Sequence, residues 1–170
     1  MLGALLRAIF AALAGLVRLA KPRFLGEAEE VGGSDRPYLD FVKSPNVLIT
    51  PHFNSDEFDL GAAGSRFRIA RVLVDGLEAY RVRLGVPFQV LSGYRTPEHN
   101  ASLVPPGAVN SFHCLGMAAD IATPEGWAAG KFHRDARGHW LNGGRGGVGY
   151  YSWGVHLDIG GSRDWGTYEG

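Results

Sequence analysis

The sequence predicts an α+β domain in which a small, mostly antiparallel sheet packs with one long helix. Two observations carry this prediction. One strongly periodic helical segment precedes several short apolar segments, and the loops between those segments are rich in glycine. The chain has 170 residues, of which 45% are apolar and 20% charged, so one packed core is expected and wholesale disorder is excluded.

The first 24 residues predict a helix that associates with a membrane. Their uncharged apolar run, residues 8–17, is ten residues long, whereas about 20 are needed to span a bilayer. Arg7 and Arg18 lie about three helical turns apart and therefore share one face. This arrangement is typical of a cationic amphipathic helix that lies on a membrane surface.

Other interpretations of residues 1–24 stay open. They are a signal peptide cleaved near residues 12–14, a tilted span over residues 1–20, and a helix packed on its own domain. Residues 25–45 show little periodicity and are interpreted as a linker, although Tyr38 and Leu39 are apolar enough to dock on the domain edge. The remaining residues, 46–170, are expected to form the folded domain.

The folded domain is expected to begin with helical elements. Asn54 and Glu57 have the spacing of a capping box, which predicts a short helix over residues 55–60. A longer helix is predicted over residues 66–84, with Gly85 as its carboxyl-terminal cap. Its apolar residues recur at spacings of three and four: Ala70, Leu73, Val74, Leu77, Tyr80 and Leu84.

Four strands are predicted to follow, over residues 86–91, 117–122, 148–151 and 155–159. In the last of these, Val155, Leu157 and Ile159 alternate with polar residues, so one face is expected to meet the core. Residues 130–147 are interpreted as a long polar loop, which in a small domain is usually functional or mobile.

Composition excludes two classes of protein. Lys and Arg total 17 and Asp and Glu total 17, so the net charge is zero and nucleic-acid binding is not expected. Cys114 is the one cysteine, which rules out an intramolecular disulfide framework and a cysteine-rich zinc knuckle.

Two short motifs predict a metal site. In S-F-H-C-L-G-M-A-A-D, residues 111–120, the carboxylate of Asp120 lies in an apolar strand and needs a partner, which a cation shared with His113 would provide. In V-H-L-D, residues 155–158, His156 and Asp158 lie two apart and emerge on one face of a strand. Two histidines and one carboxylate leave the fourth position of a tetrahedral metal open, as in catalytic zinc sites.

These motifs resemble the zinc D-Ala-D-Ala peptidase superfamily, which has the hedgehog-type fold and includes murein carboxypeptidases, endopeptidases and phage endolysins. The pattern S-x-H-x-x-G-x-A-x-D followed by H-x-D carries the resemblance. Further similar segments appear in the family's order: H-F-N-S-D-E-F at 52–58, S-G-Y-R-T-P at 92–97, G-G-V-G-Y-Y at 146–151 and G-G-S-R-D-W at 160–165. The resemblance therefore extends over most of the folded domain.

The resemblance implies a set of site residues. It implies that His113, Asp120 and His156 bind zinc (Zn²⁺). It also implies that Arg95 binds or polarises the substrate through charge-assisted hydrogen bonds to a carboxylate or a developing oxyanion. Ser111 would support the site without binding the metal.

The general base is harder to assign. Many relatives carry Glu or Asp three residues before the last histidine ligand, and this chain has Trp153 there. Asp158 is the nearest carboxylate in the sequence, and we expect it to act as the base or to orient a histidine ligand. His133 and His139 are rival candidates, because histidine can shuttle protons.

The expected function is that of a zinc metallopeptidase of the murein DD- or LD-peptidase type. It would hydrolyse amide bonds in peptidoglycan stem peptides or cross-links, as a carboxypeptidase or an endopeptidase, and a phage-type lysis enzyme would use the same chemistry. The alternative is a zinc-stabilised, non-catalytic module that binds the cell wall or belongs to a virion, which the missing acid at Trp153 favours. The expected location is periplasmic or otherwise extracytoplasmic, with membrane association through residues 1–24, or release at lysis if the chain is phage-encoded.

Overall fold

The structure is a computed structural model that describes residues 38–42, 46–59 and 66–168. The predicted helix over residues 1–24 and most of the predicted linker lie outside this part of the chain. Among the described residues, no helix is both long enough and apolar enough to cross a bilayer. The described residues form an α+β arrangement whose strands pair mostly antiparallel, as predicted.

Two small strand pairs lie near the beginning of the described chain. Strand β1, Tyr38–Val42, pairs antiparallel with β4, Arg66–Ala70. Strand β2, Leu48–Thr50, pairs antiparallel with β3, Phe53–Asn54. Strand β1 therefore lies within residues 25–45, the stretch interpreted as a linker.

The predicted capping box is present and closes a short turn. The backbone N–H of Asn54 donates to the Glu57 carboxylate at 2.8 Å, and the reciprocal bond from the Glu57 backbone to the Asn54 side chain is also formed. The element that follows is a 3₁₀ turn, Ser55–Glu57, which is shorter than the helix predicted over residues 55–60. Leu60 lies outside the described residues.

Helix α1, Arg71–Leu84, begins five residues later than predicted. The first five residues of the predicted helix form β4 instead, because Phe67 and Ile69 are buried on either side of the exposed Arg68 and β1 provides a partner strand. The end of the helix was predicted correctly. Gly85 caps it with φ 67°, and its N–H donates to the Arg81 carbonyl at 3.1 Å.

The main sheet has five strands, numbered β5 to β9 in chain order: Val90–Ser92, Ala118–Ala122, Gly147–Tyr151, Gly154–Asp158 and Arg163–Gly166. They lie in the order β5-β6-β8-β7-β9, and only β9 runs parallel to its neighbour, β7. Three predicted strands are confirmed to within one residue at each end. The strand predicted over residues 86–91 begins only at Val90, and Pro87 lacks the N–H that a paired strand needs.

The register between β6 and β8 brings two of the predicted metal ligands together. Asp120 on β6 lies directly opposite His156 on β8. Val155 and Leu157 are fully buried in the core, as the alternating pattern predicted, so His156 and Asp158 emerge on the other face of the sheet.

The prediction of a polar loop over residues 130–147 was wrong for residues 130–141. After the short helix α2, Pro97–Ser102, the chain forms α3, Ala129–Ala136, which continues into a π-helical turn. Phe132, Ala136 and Trp140 recur every four residues and are fully buried. The charged residues between them hid this apolar stripe in the sequence.

Candidate metal centre

Three ligand atoms converge where the turn before β6 meets strands β6 and β8. The atoms are His113 Nε2, Asp120 Oδ1 and His156 Nδ1. They lie 3.2 Å apart for His113 and Asp120, 2.8 Å for Asp120 and His156, and 3.1 Å for the two histidines. Ligands of a tetrahedral zinc ion with bonds of about 2.1 Å lie roughly 3.4 Å apart. The three side chains are therefore placed to share one ion, and all three are buried.

Local backbone structure sets the position of His113. It lies in a 3₁₀ turn, Phe112–Leu115, and its N–H donates to the side-chain oxygen of Ser111 at 3.3 Å. Gly116 then turns the chain into β6 with φ 67°, and a Cβ there would lie 2.3 Å from the Arg68 carbonyl oxygen. The predicted supporting role of Ser111 thus corresponds to capping the turn that carries His113.

The second nitrogen of each histidine is held by a protein oxygen. His113 Nδ1 lies 2.6 Å from the Gly93 carbonyl oxygen, which can only accept, so this nitrogen carries the proton. His156 Nε2 lies 3.2 Å from Asp158 Oδ2. When each imidazole is neutral, as metal binding requires, these bonds leave the other nitrogen of the ring unprotonated and directed at the shared point.

Asp158 is fully buried behind His156 and is surrounded by donors. Arg163 donates to its two oxygens at 2.7 and 3.2 Å, and the amides of Gly160 and Gly147 donate to Oδ1 at 2.8 and 3.2 Å. Burial acts to raise the pKa of this carboxyl, but hydrogen bonds from His156, Gly160 and Arg163 outweigh burial and lower the pKa to about 2. Asp158 is therefore a fixed anion that orients His156.

Arg95 lies beside the carboxylate of Asp120. Its Nη2 donates to Asp120 Oδ2 and its Nε donates to the Ser92 hydroxyl at 2.7 Å. In the metal-free protein, burial acts to raise the pKa of Asp120, but hydrogen bonds from the His113 and His156 rings in their protonated form lower it well below its ordinary value. The ligand carboxylate is thus held ionised, with one oxygen toward the histidines and the other toward the guanidinium.

A groove of about 340 Å³ opens beside one of the three ligands, Asp120. Asp120 and Arg95 form part of its wall, whereas His113 and His156 do not line it. Sequence reasoning did not assign several of its other residues to the site, because they meet only in the folded chain. These are Leu91, Ser92, His99, Leu103 and Trp153.

An aromatic row connects His156 to the groove. The ring of Trp165 lies 5.2 Å from that of His156, and Trp165 Nε1 donates to the Tyr151 hydroxyl at 3.0 Å. The Tyr151 ring stacks on Trp153 with centroids 4.7 Å apart and an interplanar angle of 6°. The geometry of the metal ligand and the position of Trp153 are therefore linked through these side chains.

The structure places the two rival histidines elsewhere. His133 is fully buried in contact with the rings of Tyr150 and Tyr168, and its Nε2 lies 3.0 Å from the Tyr151 carbonyl oxygen. His139 stacks on Tyr80 at 4.8 Å, and burial lowers its pKa together with the charges of two nearby arginines. Neither belongs to the group of side chains whose ligand atoms converge.

A protein-family model described as Peptidase M15 matches residues 51–158, which is more than half of the chain and includes all three converging side chains. No curated protein sequence matches the chain.

Proposed function

The chain belongs to the peptidase M15 family, within the zinc D-Ala-D-Ala peptidase superfamily, and on that premise we propose that it is a zinc enzyme that hydrolyses amide bonds in peptidoglycan peptides. The single observation that supports the proposal most strongly is the convergence of His113, Asp120 and His156 in a ligand set with room for a fourth ligand. A structural zinc site would use four protein ligands instead.

The residues present fit zinc well. Both imidazoles have their second nitrogens held by oxygens, and Arg95 donates to the carboxylate of Asp120, so His113, Asp120 and His156 would hold the ion once their ligand atoms move slightly farther apart. The chemistry that zinc supplies in such a site is the activation of water near neutral pH and the polarisation of a carbonyl group.

Arg95 is proposed to bind the substrate. Its Nε and Nη2 are engaged by Ser92 and Asp120, which fixes the plane of the guanidinium. These two contacts leave Nη1 for a substrate carboxylate or for the oxygen of the amide under attack. Arg95 would therefore orient the substrate against the metal ligands.

Asp158 is proposed to orient His156 rather than to take a proton from water. It is fully buried, it accepts hydrogen bonds at both oxygens, and its pKa is about 2, so it has little tendency to bind a proton at neutral pH. The bond to His156 Nε2 keeps the proton on that nitrogen and the metal-facing nitrogen free.

A non-catalytic module that binds the cell wall is the second candidate function. It is favoured by Trp153, which stands where many relatives carry an acid and which cannot accept a proton. Whether the bond cleaved belongs to a carboxypeptidase or an endopeptidase reaction depends on the walls of the groove rather than on the zinc ligands.

The proposed location is extracytoplasmic, because the proposed substrate lies outside the cytoplasmic membrane. Residues 1–24 are proposed to associate with the membrane or to be cleaved. If the chain is phage-encoded, it would instead reach its substrate when the cell lyses. Cell fractionation with amino-terminal sequencing of the mature protein distinguishes these routes.

The decisive experiment measures metal and product together. We expect the purified full-length chain to contain about one zinc ion and to cleave muropeptides, with the products identified by mass spectrometry. His113→Ala is expected to lose zinc and cleavage together, whereas His52→Ala, a matched change at a half-exposed histidine bonded to Glu78, is expected to keep both. Cleavage by zinc-free His113→Ala would refute the enzyme proposal, and a zinc-loaded wild type that cleaves no muropeptide would favour the binding module.

A further inference from the structure

Trp153 is an aromatic side chain exposed in the groove beside the candidate metal centre. It lies three residues before His156, 41% of it is accessible to solvent, and it forms part of the groove that contains Asp120 and Arg95. A side chain at this place contacts whatever enters the groove. Because an indole cannot take the role of an acid or base, its contribution must come through contact.

The ring is held rigidly. One face stacks on Tyr151 at 4.7 Å, and the Tyr151 hydroxyl accepts a hydrogen bond from Trp165, whose own ring lies against His156. The indole is thus fixed relative to a metal ligand before any substrate arrives. A preordered aromatic ring loses little conformational entropy when it binds a partner.

The groove has an apolar side and a polar side. Leu91, Leu103 and Trp153 contribute apolar surface, while Arg95 and His99 contribute nitrogen donors. Its volume of about 340 Å³ is at the small end of ligand sites, which span roughly 300–1,000 Å³. The chemistry that fits is a short peptide segment with a small aliphatic side chain and a carboxylate.

We propose that Trp153 is a specificity-determining residue that binds the aliphatic side chain next to the scissile amide while Arg95 binds the carboxylate. This inference rests on the proposed function and deepens it by naming the residue that selects the side chain beside the scissile amide. In this chain, Trp153 thus contacts the substrate from the position where many relatives carry an acid.

The test compares Trp153→Ala and Trp153→Phe in the full-length, zinc-loaded protein. The probe is a soluble muropeptide that the wild type cleaves. Trp153→Ala is expected to raise KM about tenfold and to change kcat less than about threefold, since aromatic contacts contribute mainly to binding. Trp153→Phe keeps a ring over Tyr151 and is expected to recover most of the loss. Val82→Ala, at an exposed position on α1, is the control and should match the wild type.

A second measurement separates contact from mere structural support. A synthetic stem peptide with alanine next to the scissile amide is compared with the same peptide carrying glycine at that position. The wild type should bind the alanine peptide more tightly, and Trp153→Ala should lose that preference, which is the coupling expected of direct contact.

The outcomes are distinguishable. An unchanged KM in Trp153→Ala, or an alanine preference that survives the substitution, would overturn this inference and leave the enzyme proposal intact. A wild type that cleaves no muropeptide would overturn the enzyme proposal and, with it, the inference.

Discussion

Replacing Asp158 with asparagine tests whether this buried carboxylate orients His156 or transfers a proton. Asparagine has nearly the same shape, and its carbonyl oxygen can still accept from the amides of Gly147 and Gly160. Its side-chain NH₂ group then faces Arg163 and the N–H of His156. All of these groups are donors, so no hydrogen bond forms between them. The carboxylate–histidine hydrogen bond is lost while the packing is preserved.

The expected loss of zinc affinity follows from losing the hydrogen bond between Asp158 and His156. Loss of a partner that orients a metal-binding histidine costs about 10- to 100-fold in metal affinity, or about 1.4–2.7 kcal/mol. The pKa of Asp158, about 2 against its ordinary 3.8, corresponds to roughly 2 kcal/mol in favour of the ionised form in the folded protein. Asp158→Asn should therefore weaken zinc binding by one to two orders of magnitude and destabilise the metal-free protein by a similar free energy.

Zinc affinity is measured by competition with a chromophoric chelator, and activity is then measured at saturating zinc. If Asp158 orients His156, saturating zinc restores kcat to within about tenfold of the wild type. Asp164→Asn is the matched control, because Asp164 is a partly exposed partner of Arg137 outside the ligand group.

Two results would refute this reasoning. An unchanged zinc dissociation constant would show that the bond to His156 does not contribute to metal binding. A kcat that stays 100-fold or more below wild type at saturating zinc would show that Asp158 takes part in proton transfer, for which losses of about 10²–10⁴ are typical.

Three further predictions concern stability and can be checked by urea denaturation. Gly149→Ala places a Cβ 2.8 Å from the Trp165 ring and should lower the free energy of unfolding by about 1–3 kcal/mol and weaken zinc binding. Gly161→Ala has open space for its Cβ and should change that free energy by less than about 0.5 kcal/mol. Equal effects of the two substitutions would contradict the packing argument. Leu77→Ala empties a fully buried core position and should cost about 2–5 kcal/mol, and a cost below 1 kcal/mol would count against the described core. Because the pKa of Asp158 is lower in the folded state than in the unfolded state, the metal-free protein should lose stability as pH falls from about 4 toward 2. Asp158→Asn should make the free energy of unfolding depend less on pH in this range, and an unchanged pH dependence would contradict the prediction.

The sequence predicted that His113, Asp120 and His156 would converge because their local patterns survive in the fold. An aspartate within an apolar strand needs a partner, and alternation around His156 fixed the face on which its side chain emerges. Gly85 and the capping box also act through bonds to residues a few positions away, so they could be found without tertiary information.

Other features depend on partners that are distant in the chain. Residues 66–70 fit the helical period, but pairing with Tyr38–Val42 converts them into a strand. Helix α3 and the π-helical turn after it were hidden because their buried stripe is three residues among many polar ones. The last of the three, Trp140, donates its Nε1–H to the distant Asp158 carbonyl. Trp153 and His99 share a groove only after β5, β6 and the chain around β8 have come together.

The cross-strand pairing of Asp120 with His156 has a consequence for how the protein folds. The hairpin of β7 and β8 is local, yet it carries only one of the three ligands, since Asp120 and His113 lie far upstream. A slip of one residue between β6 and β8 would turn one of the two side chains to the opposite side of the sheet. A metal ion held by these three side chains would therefore be captured only by chains that have completed this long-range pairing, so we expect the ion to slow unfolding more than it speeds folding.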